Sequence, residues 1–479
     1  MNIFGQLYRI ASNLPKNYNS DKMTKLVSLN PSNNEVLGEV EVSSVKEIND
    51  KIARARKAEG GWRDLGIEGR VKALREVVEN FKKRKEELAH LTSSEMGMPI
   101  SLSRGDVDDS LKYFNWYLDN ADKYLSPEVV YEDKKTKHTV YREPIGVSAN
   151  ITPWNFTVSN FVWSVPQSLV SGNVVIYKAS EEVPLCGKLI ENVVNGSGLP
   201  EGVFSEIYGG GEVGKELVNG DIDMICFTGS TKTGKYLYEI AAKKFIKVFL
   251  ELGGSAPGVV FEDADIESVL ETIFANRFLF TGQVCDGLKR LIVHESKFDE
   301  IIKKLTEKIN KTKVGNATDE KTEIGPLVSM KQLKTLEEQV KDAVDKGAKI
   351  EVGGERIKNL AGSFYKPTIL TKIKKNMRVW DEEVFGPVLP IVSFKTEEEA
   401  IKLANDTKYG LGSYIYSEDK NKIKRIASKI NAGMVSTNNV SYLQPTSPFG
   451  GYKESGIGRE HGKFGFYELT QVKVVASEK

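Results

Sequence analysis

The first 125 residues carry apolar positions in the rhythm of amphipathic helices. A helix is predicted to begin at Ser44. Ser44 and Glu47 have the spacing of a capping box, and apolar residues at helical spacing follow them. Two further helices are predicted over residues 71–81 and 107–118, where apolar residues recur every three or four positions. The N-terminal part of the chain is therefore expected to be rich in helix.

From about residue 146 the pattern changes to short apolar runs that alternate with helical stretches. This alternation predicts a parallel α/β sheet. The expected strands cover residues 147–151, 174–177, 203–207, 224–227 and 247–250. A second alternation follows Gly253 and Gly254, and its expected strands cover residues 257–261, 290–293, 389–394 and 433–436. The chain is thus predicted to contain two α/β domains.

Residues 144–177 contain no Asp, Glu, Lys or Arg, and this stretch is long enough to span a bilayer. Several amides and prolines interrupt it, and unpaired amides in lipid are costly. We therefore expect a buried strand–loop–helix–strand passage instead. Two polar, β-branched segments, residues 129–141 and 471–475, are predicted to be strands outside both sheets, where they would join subunits of a homodimer or homotetramer.

Composition excludes several classes of partner. The 67 basic and 66 acidic residues give a formal charge of +1, so no net field attracts nucleic acid or an anionic membrane. The three cysteines and four histidines have no metal-ligand spacing, so neither a metal nor a disulfide framework is predicted. The first residues lack the apolar stretch of a secretory signal, and a cytoplasmic location is expected.

Two features of the sequence favour a dinucleotide-binding site. Gly229 and Ser230 follow an apolar strand and open a helix, where backbone N–H groups can receive a pyrophosphate, although an ordinary strand-to-helix turn has the same form. Lys178 and Glu181 follow another strand, where Glu181 would accept ribose hydroxyls and repel a 2′-phosphate. This favours NAD over NADP, and a surface ion pair is the alternative interpretation.

Three residues are candidates for covalent chemistry. Cys285 lies between Gly282 and Gly287, which allow close approach to a substrate, although a lone cysteine is usually a small buried hydrophobe. Glu251 ends an apolar strand, where desolvation would raise its pKa toward the range of a general base, or it caps a turn. Asn155 has an amide that can donate to an oxyanion, or it is held by backbone hydrogen bonds.

The combination of these motifs resembles the aldehyde dehydrogenase superfamily. The motifs occur in that family's order: Thr152-Pro-Trp-Asn-Phe156, Phe227-Thr-Gly-Ser-Thr231, Glu251-Leu-Gly-Gly254, Gly282-Gln-Val-Cys285, Glu383-Val-Phe-Gly-Pro387 and Pro448-Phe-Gly-Gly-Tyr-Lys453. The spacing of 34 residues from Glu251 to Cys285 is also similar (285 − 251 = 34). The resemblance runs from about residue 28 to the C-terminus.

The resemblance implies an aldehyde dehydrogenase-like α/β fold in three parts. A Rossmann-type dinucleotide-binding domain would comprise residues 1–121 and 146–252, and a second α/β catalytic domain residues 253–455. A small β oligomerisation element would comprise residues 122–145 and 464–479.

The resemblance also implies roles. Cys285 would form a thiohemiacetal and then a thioester, Asn155 and the backbone N–H of Cys285 would hold the oxyanion, and Glu251 would activate water. The residues expected to contact NAD, or NADP, are Thr152, Trp154, Lys178, Glu181, Gly229, Ser230, Glu383 and Phe385.

Three departures from the family pattern stand out. Thr157 replaces the usual proline after Phe156, and Ala179 and Ser180 follow Lys178 where relatives often have another pair. Asp286 follows the nucleophile, where it would raise the thiol pKa if it faced the sulfur. We expect it to point away.

The substrate side is predicted to be an apolar tunnel for an aliphatic or aromatic aldehyde. Relatives that oxidise succinate semialdehyde grip its carboxylate with arginines, whereas this chain has Trp163 and Leu279 at those positions. Leu443 and Phe449 complete the expected tunnel. A succinate-semialdehyde enzyme is the alternative substrate class, and a CoA-dependent acyl transferase or a non-catalytic dinucleotide-binding protein are alternatives of other kinds.

Overall fold

The computed structural model describes residues 25–479. The helices of this part of the chain are Val45–Asp64, Gly66–Lys83, Lys85–Met96, Ile100–Leu125, Thr157–Val170, Pro184–Asn195, Gly211–Asn219, Thr231–Lys244, Ile266–Phe278, Phe298–Lys311, Met330–Asp345, Arg378–Asp381, Glu397–Asn405, Lys420–Ala427 and Gly462–Glu468. The strands are β1 (Lys25–Leu29), β2 (Val36–Glu41), β3 (Glu128–Glu132), β4 (Thr136–Pro144), β5 (Val147–Ile151), β6 (Val174–Lys178), β7 (Phe204–Glu206), β8 (Met224–Thr228), β9 (Lys247–Glu251), β10 (Ala256–Val260), β11 (Leu288–His294), β12 (Lys349–Val352), β13 (Thr368–Thr371), β14 (Val388–Phe394), β15 (Tyr414–Tyr416), β16 (Ser436–Thr437), β17 (Gly456–Ile457) and β18 (Thr470–Glu478).

The first large sheet has six strands in the order β17-β9-β8-β5-β6-β7. All neighbours are parallel except β17, which runs antiparallel to β9. The strand order reverses between β5 and β8, the kind of switch point at which open α/β sheets bind ligands beyond their carboxyl ends. The loops that carry Asn155 and Gly229 leave the sheet on either side of this point.

The predicted N-terminal helices are present and cover the first sheet. Ser44 caps the first of them by accepting a hydrogen bond from the backbone N–H of Glu47. The Glu47 carboxylate pairs with Lys51 at 2.6 Å instead of completing the capping box. Buried apolar residues of these helices and of the sheet form one core.

The second large sheet has seven strands in the order β12-β13-β14-β11-β10-β15-β16, parallel apart from the β12–β13 pair. Strands β12, β13 and β15 are not part of the sequence prediction. The expected strand at residues 433–436 is wrong in extent, since pairing is confined to Ser436 and Thr437. The α/β class and the two parallel sheets are confirmed.

A third sheet of three antiparallel strands, β18-β4-β3, stands outside the other two. The predicted segment 129–141 is interrupted by a turn, in which Asp133 accepts hydrogen bonds from the N–H groups of Lys135 and Thr136. Both edge strands are exposed along almost their whole length. The helix Ile100–Leu125 ends inside the predicted segment 122–145, and the helix Gly462–Glu468 extends into the predicted segment 464–479.

The uncharged passage is a strand, a loop, a helix and a strand, as predicted. Its buried side-chain amides have hydrogen-bond partners. Asn173 accepts from the N–H groups of Ile145 and Gly146, and Asn150 donates to the carbonyl of Ser164. Among residues 25–479, no helix is both long and apolar enough to cross a membrane. The expectation about a secretory signal and the first part of the domain 1–121 lie outside the described residues.

Candidate active site

Three predicted residues meet where the two large sheets face each other. Asn155 lies in the loop after β5, Glu251 ends β9, and Cys285 precedes β11; all three line one cavity of about 860 Å³. Because Ala256 of β10 pairs with Leu288 of β11, the residues just before each strand lie side by side. The carboxyl edge of the first sheet thus meets the amino ends of β10 and β11.

The loop that carries Cys285 follows a tight turn. Phe280, Thr281 and Gly282 all have positive φ, at 55°, 57° and 67°. Positive φ values favour glycine. Other residues with positive φ, such as Phe280 and Thr281, store backbone strain, which is often found at functional sites. A Cβ on Gly254 would come within 2.5 Å of the Cys285 carbonyl oxygen. Glycine therefore allows the chain after Glu251 to pass against the nucleophile.

Asn155 is fixed against the same loop. Its side-chain Nδ2 donates to the carbonyl of Gln283 at 3.0 Å, and its own carbonyl accepts from the Asn160 amide. Thr157, which stands where the family usually has proline, donates its hydroxyl to the Trp154 carbonyl at 2.9 Å. A side-chain hydrogen bond thus closes this turn, and one N–H of Asn155 is left for a ligand.

Glu251 is a buried carboxylate, with 2 % of its surface exposed. Neither of its oxygens has a hydrogen-bond partner among the described residues. Burial raises its pKa well above the ordinary value, and the neighbouring Glu460 raises it further while Arg459 opposes the shift. Burial also raises the pKa of Glu460 to about 8. Glu251 therefore has the desolvation that a general base requires.

Asp286 does not point away from the nucleophile, so that expectation is wrong. Its Oδ1 lies 3.9 Å from the Cys285 sulfur, and its Oδ2 accepts from the Tyr442 hydroxyl at 2.7 Å. Tyr414 donates to its backbone carbonyl at 3.0 Å. Two tyrosines on distant segments hold it in place, and sequence spacing does not reveal this. Burial raises the pKa of the Cys285 thiol well above its ordinary value, and the Asp286 carboxylate raises it further.

Lys289 connects the nucleophile loop to the predicted cofactor residue Glu383. Its ammonium, on a side chain 1 % exposed, contacts Glu383 Oε1 at 2.6 Å. It also donates to the carbonyls of Cys285 at 2.9 Å and Gly254 at 3.2 Å. Sequence reasoning missed Lys289, although a lysine inside an apolar strand is itself a signal of a buried ion pair.

The predicted cofactor residues fall into two groups. Trp154, Gly229, Ser230, Glu383 and Phe385 line the cavity beside Cys285. The rings of Trp154 and Phe385 meet edge to face at 5.4 Å. Ser230 caps the helix that begins at Thr231 by accepting from the N–H of Thr233, so the N-terminus of this helix opens beside the cavity, as phosphate binding requires.

The second group is not among the described wall residues of this cavity and lies at or just after the carboxyl ends of the neighbouring strands β5 and β6. Lys178 is buried and its ammonium lies 3.7 Å from the carboxylate of Glu181, whose side chain is 49 % exposed. Burial lowers the pKa of Lys178. The Thr152 hydroxyl is hydrogen-bonded to that of Tyr177 at 2.7 Å. Glu181 is therefore free to accept hydroxyl donors, in agreement with the chemistry of a ribose.

The four predicted tunnel residues do not share one position. Trp163 and Leu443 line the cavity, whereas Leu279 and Phe449 are not among its described wall residues. Phe449 packs behind the wall, with its ring 5.2 Å from that of Trp163. The wall also contains carboxylates and tyrosines on the side away from Trp154. The prediction of an apolar tunnel therefore fits only part of the cavity wall.

Within the described part of the chain, no three His, Cys, Asp or Glu side chains are grouped as metal ligands. Cys186 and Cys226 are buried and free. Two facing α/β sheets, a cysteine and a glutamate in one cavity, and a helix N-terminus beside them define a dinucleotide-dependent enzyme with a thiol nucleophile. A model of the aldehyde dehydrogenase family matches residues 18–475, and the chain belongs to that family. It is an NAD(P)-dependent aldehyde oxidoreductase.

Curated and solved relatives agree with this assignment. The chain is 37 % identical to a betaine aldehyde dehydrogenase of Bacillus subtilis strain 168, over 93 % of each chain. It is 33 % identical to an NADP(+) succinate-semialdehyde dehydrogenase of Escherichia coli K12, over 93 % of this chain and 92 % of that one. The crystal structure of a betaine aldehyde dehydrogenase from Staphylococcus aureus in complex with NAD+ has a TM-score of 0.91 at 34 % identity, covering 95 % of this chain and 91 % of the other.

Proposed function

We propose that Cys285, Asn155 and Glu251 oxidise an aldehyde to the free carboxylic acid. The Cys285 thiolate adds to the carbonyl carbon, and the resulting oxyanion accepts hydrogen bonds from Asn155 Nδ2 and the Cys285 N–H. A dinucleotide held beside Cys285 by Glu383 and Phe385 would supply the acceptor for the hydride that leaves the aldehyde carbon. Glu251 then takes a proton from the water that attacks the thioester, the acid leaves, and the cysteine is regenerated.

The desolvated carboxylate of Glu251 carries this proposal. It lines the cavity of Cys285, is 2 % exposed and has no hydrogen-bond partner among the residues described, so no described protein group competes with a water for its lone pairs. A glutamate placed in this way favours hydrolysis over transfer to CoA. The intact set of three residues also argues against a non-catalytic binding protein.

Five residues on the cofactor side would hold the dinucleotide. Gly229 and Ser230 would meet the pyrophosphate at the helix N-terminus, and Glu383 the nicotinamide ribose, with Trp154 and Phe385 beside it. Glu383 is supported there by the N–H of Gly254, which donates to Oε1 at 3.1 Å. Thr152, Lys178 and Glu181 would serve the adenosine end.

The names of the relatives indicate substrates of opposite charge. Betaine aldehyde carries a cation and succinate semialdehyde an anion, so neither name decides the matter for this chain. Trp163, Leu443 and neighbouring rings support contact with the carbon chain of the aldehyde. Arginines that would pair with a distal carboxylate do not line the described cavity wall, which disfavours the succinate-semialdehyde alternative.

The proposal is tested by incubating the purified protein with NAD+ or NADP+ and a panel of aldehydes, and by following absorbance of the reduced nicotinamide. We expect turnover, a product that titrates as an acid, and no stimulation by CoA. Cys285→Ala should abolish oxidation while cofactor binding persists. Glu251→Gln should retain a burst of about one equivalent but lose steady-state turnover by roughly 10²- to 10⁴-fold. Absence of turnover with every aldehyde would favour the binding role, and dependence on CoA would favour acyl transfer.

We also propose that the three-stranded sheet joins subunits into a homodimer or homotetramer in the cytoplasm. Exposed valines on its edge strand support this, since Val472 is 60 % and Val474 57 % exposed. Light scattering of the native chain and of a Val472→Lys, Val474→Lys variant tests it. A native chain that elutes as a monomer would refute the oligomer.

A further inference from the structure

Charge is distributed unevenly along the cavity wall. Next to the predicted tunnel residue Trp163, the helix Ile100–Leu125 contributes Asp106, Asp109 and Tyr113 to the wall at intervals of three or four residues. This spacing places the three side chains on one face of the helix. Asp286 contributes a further carboxylate from the nucleophile loop. The substrate half of the cavity is therefore lined by three aspartates, which we call the aspartate wall.

Asp106 is the buried member of the aspartate wall. It is 7 % exposed, and one carboxylate oxygen accepts from the Ser159 hydroxyl. The other oxygen, Oδ2, is buried without a hydrogen-bond partner among residues 25–479. Burial raises the pKa of Asp106 to about 7. A buried carboxylate oxygen without a donor is costly, and a donor or cation in the cavity would remove that cost.

Two carboxylates of the aspartate wall act together on Tyr113. Burial raises the pKa of Tyr113, and the carboxylates of Asp109 and Asp286 raise it further. Tyr113 thus lies within the field of aspartates from two separate segments of the chain. Its ring is 5.5 Å from that of Trp163, and Tyr414 and Tyr442 face the cavity from the other side. Aromatic faces next to carboxylates attract ammonium groups.

Protein cations do not neutralise the inner part of this region. Among the described wall residues, Lys112 is the one lysine or arginine. Its side chain is 72 % exposed and pairs with Asp109 at 2.6 Å, so it sits at the solvent side. Neither Asp106 nor Asp286 forms an ion pair with a lysine or arginine of the described cavity wall.

We propose that the aldehyde oxidised by this enzyme carries a protonated amino group at the end opposite the carbonyl, with the carboxylate of Asp106 as its acceptor. This inference rests on the proposed function and names its substrate class. A primary ammonium is favoured over a quaternary one because the unpartnered oxygen needs an N–H donor. The assignment departs from the apolar aldehyde predicted from sequence, because the helix that carries Asp106 lies far in sequence from the catalytic motifs.

The test compares aldehydes of matched size and different charge. We expect kcat/KM with NAD+ to be at least about tenfold higher for 3-aminopropanal than for butanal, its uncharged isostere. Succinate semialdehyde should be the poorest substrate, because its carboxylate meets the aspartate wall. Betaine aldehyde distinguishes a quaternary ammonium, and it should rank below 3-aminopropanal.

Two variants test whether Asp106 causes the preference for 3-aminopropanal. Asp106→Asn should lower kcat/KM for 3-aminopropanal by at least about tenfold, toward the value for butanal, and a Tm close to the native one would show that the variant is folded. Asp108→Asn is the matched control, because Asp108 lies on the same helix and pairs with Lys85 at 2.7 Å on the surface. That control should keep the preference.

Each result has a definite meaning. If butanal or succinate semialdehyde is oxidised as well as 3-aminopropanal, or if Asp106→Asn keeps the preference, the ammonium assignment is overturned and the aldehyde oxidation stands. A preference for betaine aldehyde overturns the primary ammonium. If no aldehyde is oxidised, the proposed function itself fails.

Discussion

The carboxylate of Asp286 faces the sulfur of Cys285 across 3.9 Å and is held there by the hydroxyl of Tyr442. A negative charge at this distance opposes formation of the thiolate, which is the nucleophile. Asp286 therefore adds to the effect of burial in raising the pKa of the Cys285 thiol. A cationic substrate would oppose this effect.

Replacing Asp286 should make the thiol more acidic. In Asp286→Asn the repulsive charge is gone, so the pH at which Cys285 reacts with iodoacetamide should fall by on the order of one unit or more. The measurement is the alkylation rate against pH. Asp345→Asn, which removes a surface carboxylate paired with Lys341, should leave the profile unchanged. An unshifted profile in Asp286→Asn would show that the carboxylate does not act on the sulfur.

The pH dependence of turnover should reflect Glu251 and Glu460 together. Burial raises the pKa of both carboxyl groups, so the base form of Glu251 grows as the pH rises through this raised pKa. We expect kcat to increase from neutral to alkaline pH. In Glu460→Gln the repulsion is removed, the Glu251 pKa falls, and the rising limb should move to lower pH. Glu454→Gln, whose carboxylate pairs with Lys235 on the surface, serves as the control. A shift toward higher pH would contradict this account.

Loss of Lys289 should weaken cofactor binding more than it weakens aldehyde binding. Its ammonium holds Glu383 at 2.6 Å and two backbone carbonyls, so Lys289→Met leaves a half-buried carboxylate without its cation. We expect KM for NAD+ to rise by about tenfold or more and Tm to fall. Glu383→Gln should raise KM for NAD+ similarly, and the double variant should be no worse than either single one. Additive effects would mean that the two residues act separately.

The choice between NAD and NADP should depend on Glu181. Its exposed carboxylate at the end of β6 would accept ribose hydroxyls and repel a 2′-phosphate. The native enzyme should have the higher kcat/KM with NAD+, and Glu181→Gln should reduce this ratio by about tenfold through better use of NADP+. Glu182→Gln, one residue further on, should leave the ratio near the native value. A native preference for NADP+ would exclude this role for Glu181.

Several features were predictable because they depend on local pattern or on motif order. The helices, most strands of the first sheet and the uncharged buried passage follow from periodicity and turn residues. The family, the enzyme class and the cofactor, which the comparisons confirm, followed from the order of six motifs and the spacing of Glu251 and Cys285. The roles of individual site residues remain predictions.

Other features required the three-dimensional arrangement. Asp286 was expected to point away, because nothing near it in sequence reveals that Tyr414 and Tyr442 would bind it. Asp106 lies 179 residues before Cys285 (285 − 106 = 179), and only packing brings both into one cavity. Side-chain direction and charge around a cavity arise from contacts between distant segments, which no local pattern encodes.

The short strand β17 has a consequence for the folding of the active site. Gly456 pairs with Glu251, and a Cβ at Gly456 would approach the Leu250 carbonyl to 2.2 Å, so only glycine fits. The sheet edge at Glu251 is thus completed by a strand that lies 205 residues further along the chain (456 − 251 = 205). A contact between residues so far apart in sequence forms only after a long loop has closed. We therefore expect Glu251 to reach its final surroundings late in folding.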